Sequence, residues 1–533
     1  MSVMGAIARA ACVAALAVLP PAAALRLLPP AEPADLVFVS GPEPESLDPA
    51  VASRVVDLRL VSALFEPLVA LDPETLEARG AAAATWTADA RGATFTLAEG
   101  LRWSNGDPLG PEDFLYAWRR AAEPATGAPF ATEAAEIAEG ARALDGRTIR
   151  VEPRRPRPDL VPLLSLPAFA PVHRASVERL GERFTRPGNL VSNGPFALAA
   201  WEPGRRLRLA RNPRFHRAVD LASIEAITTS GGVAGGDTTA FQIYETGGAD
   251  LCFAPPERAA LGHPDLVERP GAGTYFLRFN TTRAPLATAG SRRRLAAAMD
   301  RAAICKYVLQ GANPPAETLV PAELWQAPVR AEFAESAEHA ETHREAPPGS
   351  VSSDSSGPGR HSANSADSAN SARTHLSLLY PASDDAAARI GEVLQQAWKP
   401  LGVDLRLVPM EPKAAFAAVK RLEYDVAWSN WIADYPDPVS FLDCFRSGSG
   451  NNRTGWTDAA YDAALERAAG EAGGARLATL RAAERRLLEE APIAPLFRTT
   501  ASLLARRTLR GAVAVPFQHA FPWASLRREG APP

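Results

Sequence analysis

The sequence predicts an α/β protein built from several domains, on two observations. Its 533 residues leave room for three or four domains at roughly 100–200 residues each, and 46% hydrophobic content supplies their cores. Leu376–Tyr380 reads as a strand, Asp385–Leu401 as a helix and Val403–Val408 as a strand, an order that makes an α/β unit. The charge balance, 57 basic against 61 acidic side chains for a net −4, argues against a nucleic-acid binder, which would show a basic excess. Lys306, Lys399, Lys413 and Lys420 are the only lysines, so arginine supplies the rest of the positive charge. With the many alanines and prolines, this reads as the codon bias of a GC-rich genome and not as a binding device.

At the N-terminus, Ala10–Leu28 is mostly apolar, with Arg9 before it and the small residues Ala22–Ala24 after the pair Pro20–Pro21. This is a secretory signal pattern over residues 1–25, with an uncleaved anchor as the alternative. Cys12 sits early in the run and not after it, which speaks against a lipid anchor. Three cysteines follow, Cys252, Cys305 and Cys444, an odd number and too few for a disulfide framework. Phe253 and Phe445 beside two of the thiols mark packed positions, so buried cysteines are expected.

Leu36–Ser40 is a short apolar strand, and the prolines and glycine of Gly41–Pro49 make the loop after it. Val55–Leu68 has helical periodicity, and Ala93–Leu97 alternates as a strand. Asn105-Gly106 is a turn signal, because both residues tolerate positive φ. Pro111-Glu112-Asp113 opens a helix carrying Phe114, Tyr116 and Trp118. Gly194–Leu198 and Arg206–Arg211 read as a strand pair turning at Trp201–Gly204. Thr274–Asn280 is a further strand and Arg292–Leu309 a helix. Residues 335–374, rich in Ser, Ala, Asn, Gly and Pro, cannot bury enough apolar surface to offset chain entropy and read as a disordered insertion. His339 and His343 within it have helical ligand spacing but no fixed framework to hold a metal.

Enzyme signatures are missing from the sequence. It has no Gly-x-Ser-x-Gly elbow, His-Glu-x-x-His, phosphate loop or Cys-x-x-Cys, and its eight histidines are scattered. No catalytic residue, cofactor or metal is therefore expected. A carboxylate-only hydrolase leaves no short motif and stays as an alternative.

Four blocks, in order, resemble the extracytoplasmic solute-binding proteins of family 5, the oligopeptide- and dipeptide-binding components of ABC peptide permeases. They are Pro44–Pro49, Leu101–Gly106 running into Asp113-Phe114, Asn193–Phe196 with Trp201 and Arg211–Pro213, and Trp431–Pro438 followed by Phe441-Leu442 and Asn451-Asn452. The resemblance runs from about residue 36 to 530 and implies a periplasmic-binding-protein-like two-lobe (Venus flytrap) α/β fold. Lobe I would comprise residues 36–65, 188–271 and 501–533, with a family-specific extra domain over 66–187. Lobe II would comprise 272–500, carrying the insertion at 335–374. The lobes would close over a ligand by hinge motion. The implied role is capture of oligopeptides in the periplasm by a monomer, with delivery to an inner-membrane ABC permease. A sugar, opine or metal complex on the same fold is the alternative.

A receptor for varied peptides must read the α-ammonium, the backbone and the carboxylate. A buried ammonium requires a carboxylate, because an unpaired buried charge is very costly. The resemblance assigns that carboxylate to Asp434, with Trp431 as a wall; on residue type alone Asp434 also suits a turn cap ahead of Pro436. Phe130, Trp428, Tyr435 and Phe276 complete the implied ligand-binding set. Asp48, Pro49, Asn105 and Gly106 are expected to be structural.

The chain also departs from the family pattern. Phe130 stands where peptide binders can carry a tyrosine, Trp428 where some carry an arginine, and Ser53 where an acid can occur. Gly273 and Ile432 stand where some members place a disulfide. Trp428 suggests an aromatic wall favouring apolar or ring-bearing ligands. A hydrolase would instead need a nucleophile or paired acids in the cleft, whereas a single carboxylate among aromatic walls would argue against it.

Overall fold

A computed structural model describes residues 33–89, 91–229, 238–253, 262–325 and 373–529. The expected signal segment and residues 335–372 of the expected insertion, with His339 and His343, lie outside the described residues. The chain divides into two units, Met1–Asp35 and Leu36–Pro533, and the architecture is that of the second.

Its backbone is a ten-stranded mixed sheet. From one edge the order is Val403–Met410, Thr374–Pro381, Val426–Ile432, Leu266–Phe279, Ile493–Ala505, Leu251–Phe253, Leu36–Gly41, Ser223–Thr228, Arg206–Arg211 and Phe196–Glu202. Two strands, Leu266–Phe279 and Ile493–Ala505, are long enough to serve both halves of this sheet. Near Leu503–Ala505 the second of them pairs with Leu251–Phe253 of the first half. Near Thr274–Phe279 the first of them pairs with Val426–Ile432 of the second half. Their mutual register slips between Pro270 and Thr274, where Gly271 and Gly273 lie. A Cβ on Gly271 would come within 2.7 Å of the Thr499 carbonyl oxygen, so the crossover leaves no room for a side chain.

A four-stranded antiparallel sheet of Ala83–Asp89, Gly92–Leu97, Thr148–Val151 and Ala141–Ala143 belongs to the segment between the first and second visits to the large sheet. The helix Pro111–Ala122 packs beside it. Pro111 starts the helix, and the Asp113 carboxylate accepts the Gly110 N–H at 2.9 Å, giving a capped first turn. Phe114, Leu115, Trp118 and Ala121 form its buried stripe, and Trp118 Nε1 donates to the Phe169 carbonyl at 2.9 Å. Truncating Trp118 to alanine would cost about 3–5 kcal/mol.

The motif residues outside the cleft hold these parts together. Arg120, on the same helix, clasps Asp48 of the N-terminal loop through bonds of 3.1 and 2.5 Å. The Asn193 side chain mimics a backbone strand: it accepts the Glu66 N–H at 3.0 Å and donates to the Glu66 carbonyl at 2.8 Å. Gly194 lies so close to Leu64 and Phe65 that a Cβ would fall 2.6 Å from the Leu64 carbonyl carbon. Asn105 and Asp107 bond within their own turn, and Gly106 takes φ +100°.

Several elements differ from expectation. The helix at Val55 stops at Leu64, because Pro67 disfavours helical backbone at Glu66 and Asn193 takes over the Glu66 amide groups. The strand at Phe196 runs on through Trp201 and Glu202, and the turn falls at Gly204, φ +71°. Residues 292–309 are not one helix but Ala289–Ala297, Arg301–Ala303 and a wider turn at Ile304–Val308. Asp300 makes the break by capping a new start, accepting the Ala303 N–H at 2.9 Å. Thr374, assigned to the insertion, opens the strand Thr374–Pro381 instead. Cys252, Cys305 and Cys444 are all buried, and none forms a disulfide among the described residues.

Candidate functional site

A cleft of about 1300 Å³ opens between the segment carrying the four-stranded sheet and the second half of the large sheet, with the Gly271–Thr499 crossover in its wall. Its second-half wall is the end of the strand Val426–Ile432 and the turn that follows. Beyond Ala427 this strand has lost its partner Thr374–Pro381, which pairs only at Val426 and Ala427. Asn430, Trp431 and Ile432 therefore bring a strand edge to the cleft. Ile432 and Gly273 are cross-strand partners, so the expected disulfide position is a real juxtaposition occupied by other residues.

The Asp434–Pro438 turn sends three side chains different ways. Asp434 lines the cleft, half-buried, with its backbone N–H donating to Ser440 Oγ at 3.0 Å. Among the described residues its carboxylate has no ion-pair or hydrogen-bond partner. The turn-capping role falls to Asp437, whose Oδ1 accepts the Val439 N–H at 2.9 Å while both oxygens take Arg476 at 2.9 Å. Burial, and secondarily the Glu133 charge, push the Asp434 carboxyl up to about 7. Tyr435 also lines the cleft, but its hydroxyl donates to Asp159 Oδ2 at 2.7 Å on the facing wall. Asp159 in turn is gripped by Arg157 at 3.2 and 2.7 Å.

Phe130 and Trp431 both line the cleft. Phe130 is the N-cap residue of the helix Ala131–Gly140 and leans on Phe169 at 6.3 Å between ring centroids. Trp431 donates from Nε1 to the Ser440 carbonyl at 2.8 Å. Trp428 and Phe276 do not line it. Trp428 is 8% exposed, sits between Tyr275 and Phe497 with centroids 5.5 and 6.0 Å away, and donates to Asp384 at 2.9 Å. It cannot form the aromatic wall, because three positions along a strand put it on the opposite face from Trp431. Phe276 is fully buried against Phe445 at 6.0 Å, with the Arg278 guanidinium 5.2 Å from its ring centre.

Five acids that sequence reasoning missed join Asp434 in the cleft: Glu133, Glu136, Asp159, Asp443 and Glu466. Burial raises the Glu133 carboxyl, opposed by a hydrogen bond from its own backbone N–H and by Arg157, while Glu136 and Asp443 add to the rise. Burial likewise raises Asp443, against the pull of Arg446. Glu133 was visible only as a first-turn acid three residues after Phe130, a position that also suits a helix start. The cleft is thus not a single carboxylate among aromatic walls. No group of three or more His, Cys, Asp or Glu side chains among the described residues could hold a metal ion. No helix among them is long and apolar enough to cross a membrane.

Two sheet halves joined by crossing strands, with a cleft walled by that crossover, define a two-lobe ligand-binding protein. The chain belongs to the bacterial extracellular solute-binding proteins of family 5, whose middle region matches residues 66–453. It is 30% identical over 506 residues to the periplasmic murein peptide-binding protein MppA of Escherichia coli (strain K12), covering 90% of each chain. It is 28% identical over 500 residues to the dipeptide-binding protein DppE of Bacillus subtilis (strain 168), covering 89% of this chain and 88% of the relative. A probable deoxycholate-binding periplasmic protein of Escherichia coli (strain K12), YgiS, is also 28% identical, over 485 residues, covering 85% of this chain and 86% of the relative. The solved structure of the Escherichia coli murein tripeptide binding protein MppA superposes with a TM-score of 0.72 at 26% identity, covering 93% of this chain and 99% of that one. That of Haemophilus influenzae OppA in complex with RPPGFSPFR gives 0.71 at 24% identity, covering 92% and 98%, and shares the fold.

Proposed function

We propose that the protein is the periplasmic substrate-binding component of an ABC importer, a monomer that captures oligopeptides between its lobes and delivers them to an inner-membrane permease. The observation that carries this reading is Asp434: a carboxylate in a large cleft, raised by burial and with no cation opposite it among the described residues. Such a group is costly in the empty protein and is satisfied by the α-ammonium of a peptide. Asp434 then holds the amine, Trp431 and Phe130 form the apolar surround, and Tyr435 acts through its bond to Asp159. The free strand edge at Asn430–Ile432 suits pairing with an extended peptide backbone. Roomy pockets filled by adjustable water suit varied side chains.

The lobe division fits the crossover: residues 36–65, 188–271 and 501–533 as lobe I, 66–187 as the extra domain and 272–500 as lobe II. The hinge then lies where the register slips at Gly271–Gly273. The names of relatives that bind peptides and dipeptides support peptide as the ligand, and an extracytoplasmic family supports export by residues 1–25.

The test is calorimetric titration of a mixed peptide pool and its N-acetylated counterpart against wild type and Asp434→Ala. Free peptides should bind at 1:1, acetylation should abolish most affinity, and the substitution should cost several kcal/mol, roughly 2–5. Normal binding by Asp434→Ala would sink the assignment. Paired raised carboxyls are also what a carboxylate hydrolase carries, so mass spectrometry of the same mixtures reads turnover, and cleaved peptide would displace the transport reading.

A further inference from the structure

We infer that the cleft selects peptides whose first residue carries a second positive charge, with Glu133 as the residue that reads it. This rests on the reading of the cleft as a peptide site with the amine at Asp434. The argument is a charge balance of the cleft walls. Arg157 is engaged by Asp159 and, at 3.1 Å, by Glu136. Arg446 is engaged by Asp443 through bonds of 3.1 and 3.0 Å and by Glu466, also in the lining, at 3.6 Å. Arg476 is engaged by Asp437 through two bonds of 2.9 Å. Among the described residues this leaves Glu133 and Asp434, each lining the cleft, without an ion-pair partner. The two carboxylates line the cleft from opposite walls, and the Glu133 charge reaches Asp434.

One α-ammonium compensates one carboxylate. The second stays in the cleft without a countercharge unless the ligand brings another cation. The immediate surroundings of Glu133 suit a cation. Phe130 precedes Glu133 by one helical turn and presents a ring without a hydroxyl, and an aromatic face attracts an ammonium or guanidinium. A first-turn glutamate is also favoured by the helix dipole, which explains its residue type but not its setting opposite Asp434. Arg155 lines the same cleft but is exposed and has no ion pair among the described residues. It is placed to meet a ligand carboxylate. A short peptide with a lysine or arginine first residue would supply the two cations and one anion that these walls leave open.

The test uses the whole secreted protein and three tripeptides, Ala-Ala-Ala, Lys-Ala-Ala and Nε-acetyl-Lys-Ala-Ala, titrated calorimetrically. Wild type should bind Lys-Ala-Ala about tenfold more tightly than Ala-Ala-Ala. Acetylating the lysine should erase that advantage, and Glu133→Gln should bring the ratio of the two dissociation constants to about one. Equal wild-type affinities for Lys-Ala-Ala and Ala-Ala-Ala overturn the inference and leave the peptide reading standing. A preference that survives in Glu133→Gln overturns it as well. Binding of none of the three, with no response to the mixed peptide pool, overturns the peptide reading and this inference with it. The wild-type comparison needs no variant, so a misfolded Glu133→Gln cannot protect the idea.

Discussion

Asp434 should make ligand binding depend on pH near neutrality, where a surface aspartate, fully ionised well below neutrality, gives no such dependence. In the empty protein its carboxyl is pushed up to about 7 by burial and by Glu133. Glu133 is itself raised by burial and by Glu136 and Asp443, and Asp443 by burial and Asp159, while Arg157 opposes both shifts. A proton on Asp434 competes with the peptide ammonium. With half-ionisation near 7, moving from pH 7 to pH 5 should weaken binding about fiftyfold, roughly 2.3 kcal/mol. Above about 7.7 the peptide amine itself loses its proton, so affinity should peak just above neutrality.

The stability sign is the reverse. A carboxyl raised on folding contributes stability that is present below the unfolded value, 3.8, and is lost as pH rises through about 7. The ligand-free protein should therefore lose up to about 4 kcal/mol from this group between acid and neutral pH. Asp434→Asn should flatten both dependences and melt higher than wild type at pH 8 without ligand, while binding peptide poorly. The assays are titration of Ala-Ala-Ala from pH 5 to 8.5 and thermal melts over the same range. A dissociation constant flat from pH 5 to 7, or an Asp434→Asn protein less stable than wild type at pH 8, would refute the reasoning. Either would return Asp434 to a turn residue.

Other expectations concern the scaffold. Asp437→Ala leaves the buried Arg476 guanidinium without its carboxylate and should cost about 3–5 kcal/mol in chemical denaturation. Gly194→Ala forces a Cβ against the backbone of Leu64 and Phe65 and should destabilise by more than about 1 kcal/mol, lowering the melting temperature with no direct effect on ligand contacts. Trp428→Phe removes the bond to Asp384 and should cost about 1–3 kcal/mol of stability, yet leave peptide affinity and side-chain preference unchanged. A shift in preference there would restore Trp428 to the cleft wall.

Much was legible along the chain because the signals were local. The turn at Asn105-Gly106, the helix start at Pro111 with acids beside it, and the alternation of Arg206–Arg211 each depend on neighbours within a few residues. The ordered motif blocks did the same for the family, and they brought Asp434 and Trp431 to notice. Breaks were harder to read. Asp300 ends one helix and starts another by a side-chain bond that apolar periodicity does not register. Pro67 shortened a helix whose hydrophobic pattern ran on past it.

The sequence by itself determined the α/β class, the family, and the residues at the Asp434 turn, because these follow from motif order and short-range backbone chemistry. Tertiary structure alone decided which face each aromatic takes. Alternation says that Trp428 and Trp431 face apart, but not which of those faces meets the core. It also decided the charge balance of the cleft. Whether a carboxylate is paired depends on what the folded topology sets against it. Asp159 received Arg157 and Tyr435, Asp437 received Arg476, and Asp434 received another acid, Glu133, from the facing wall.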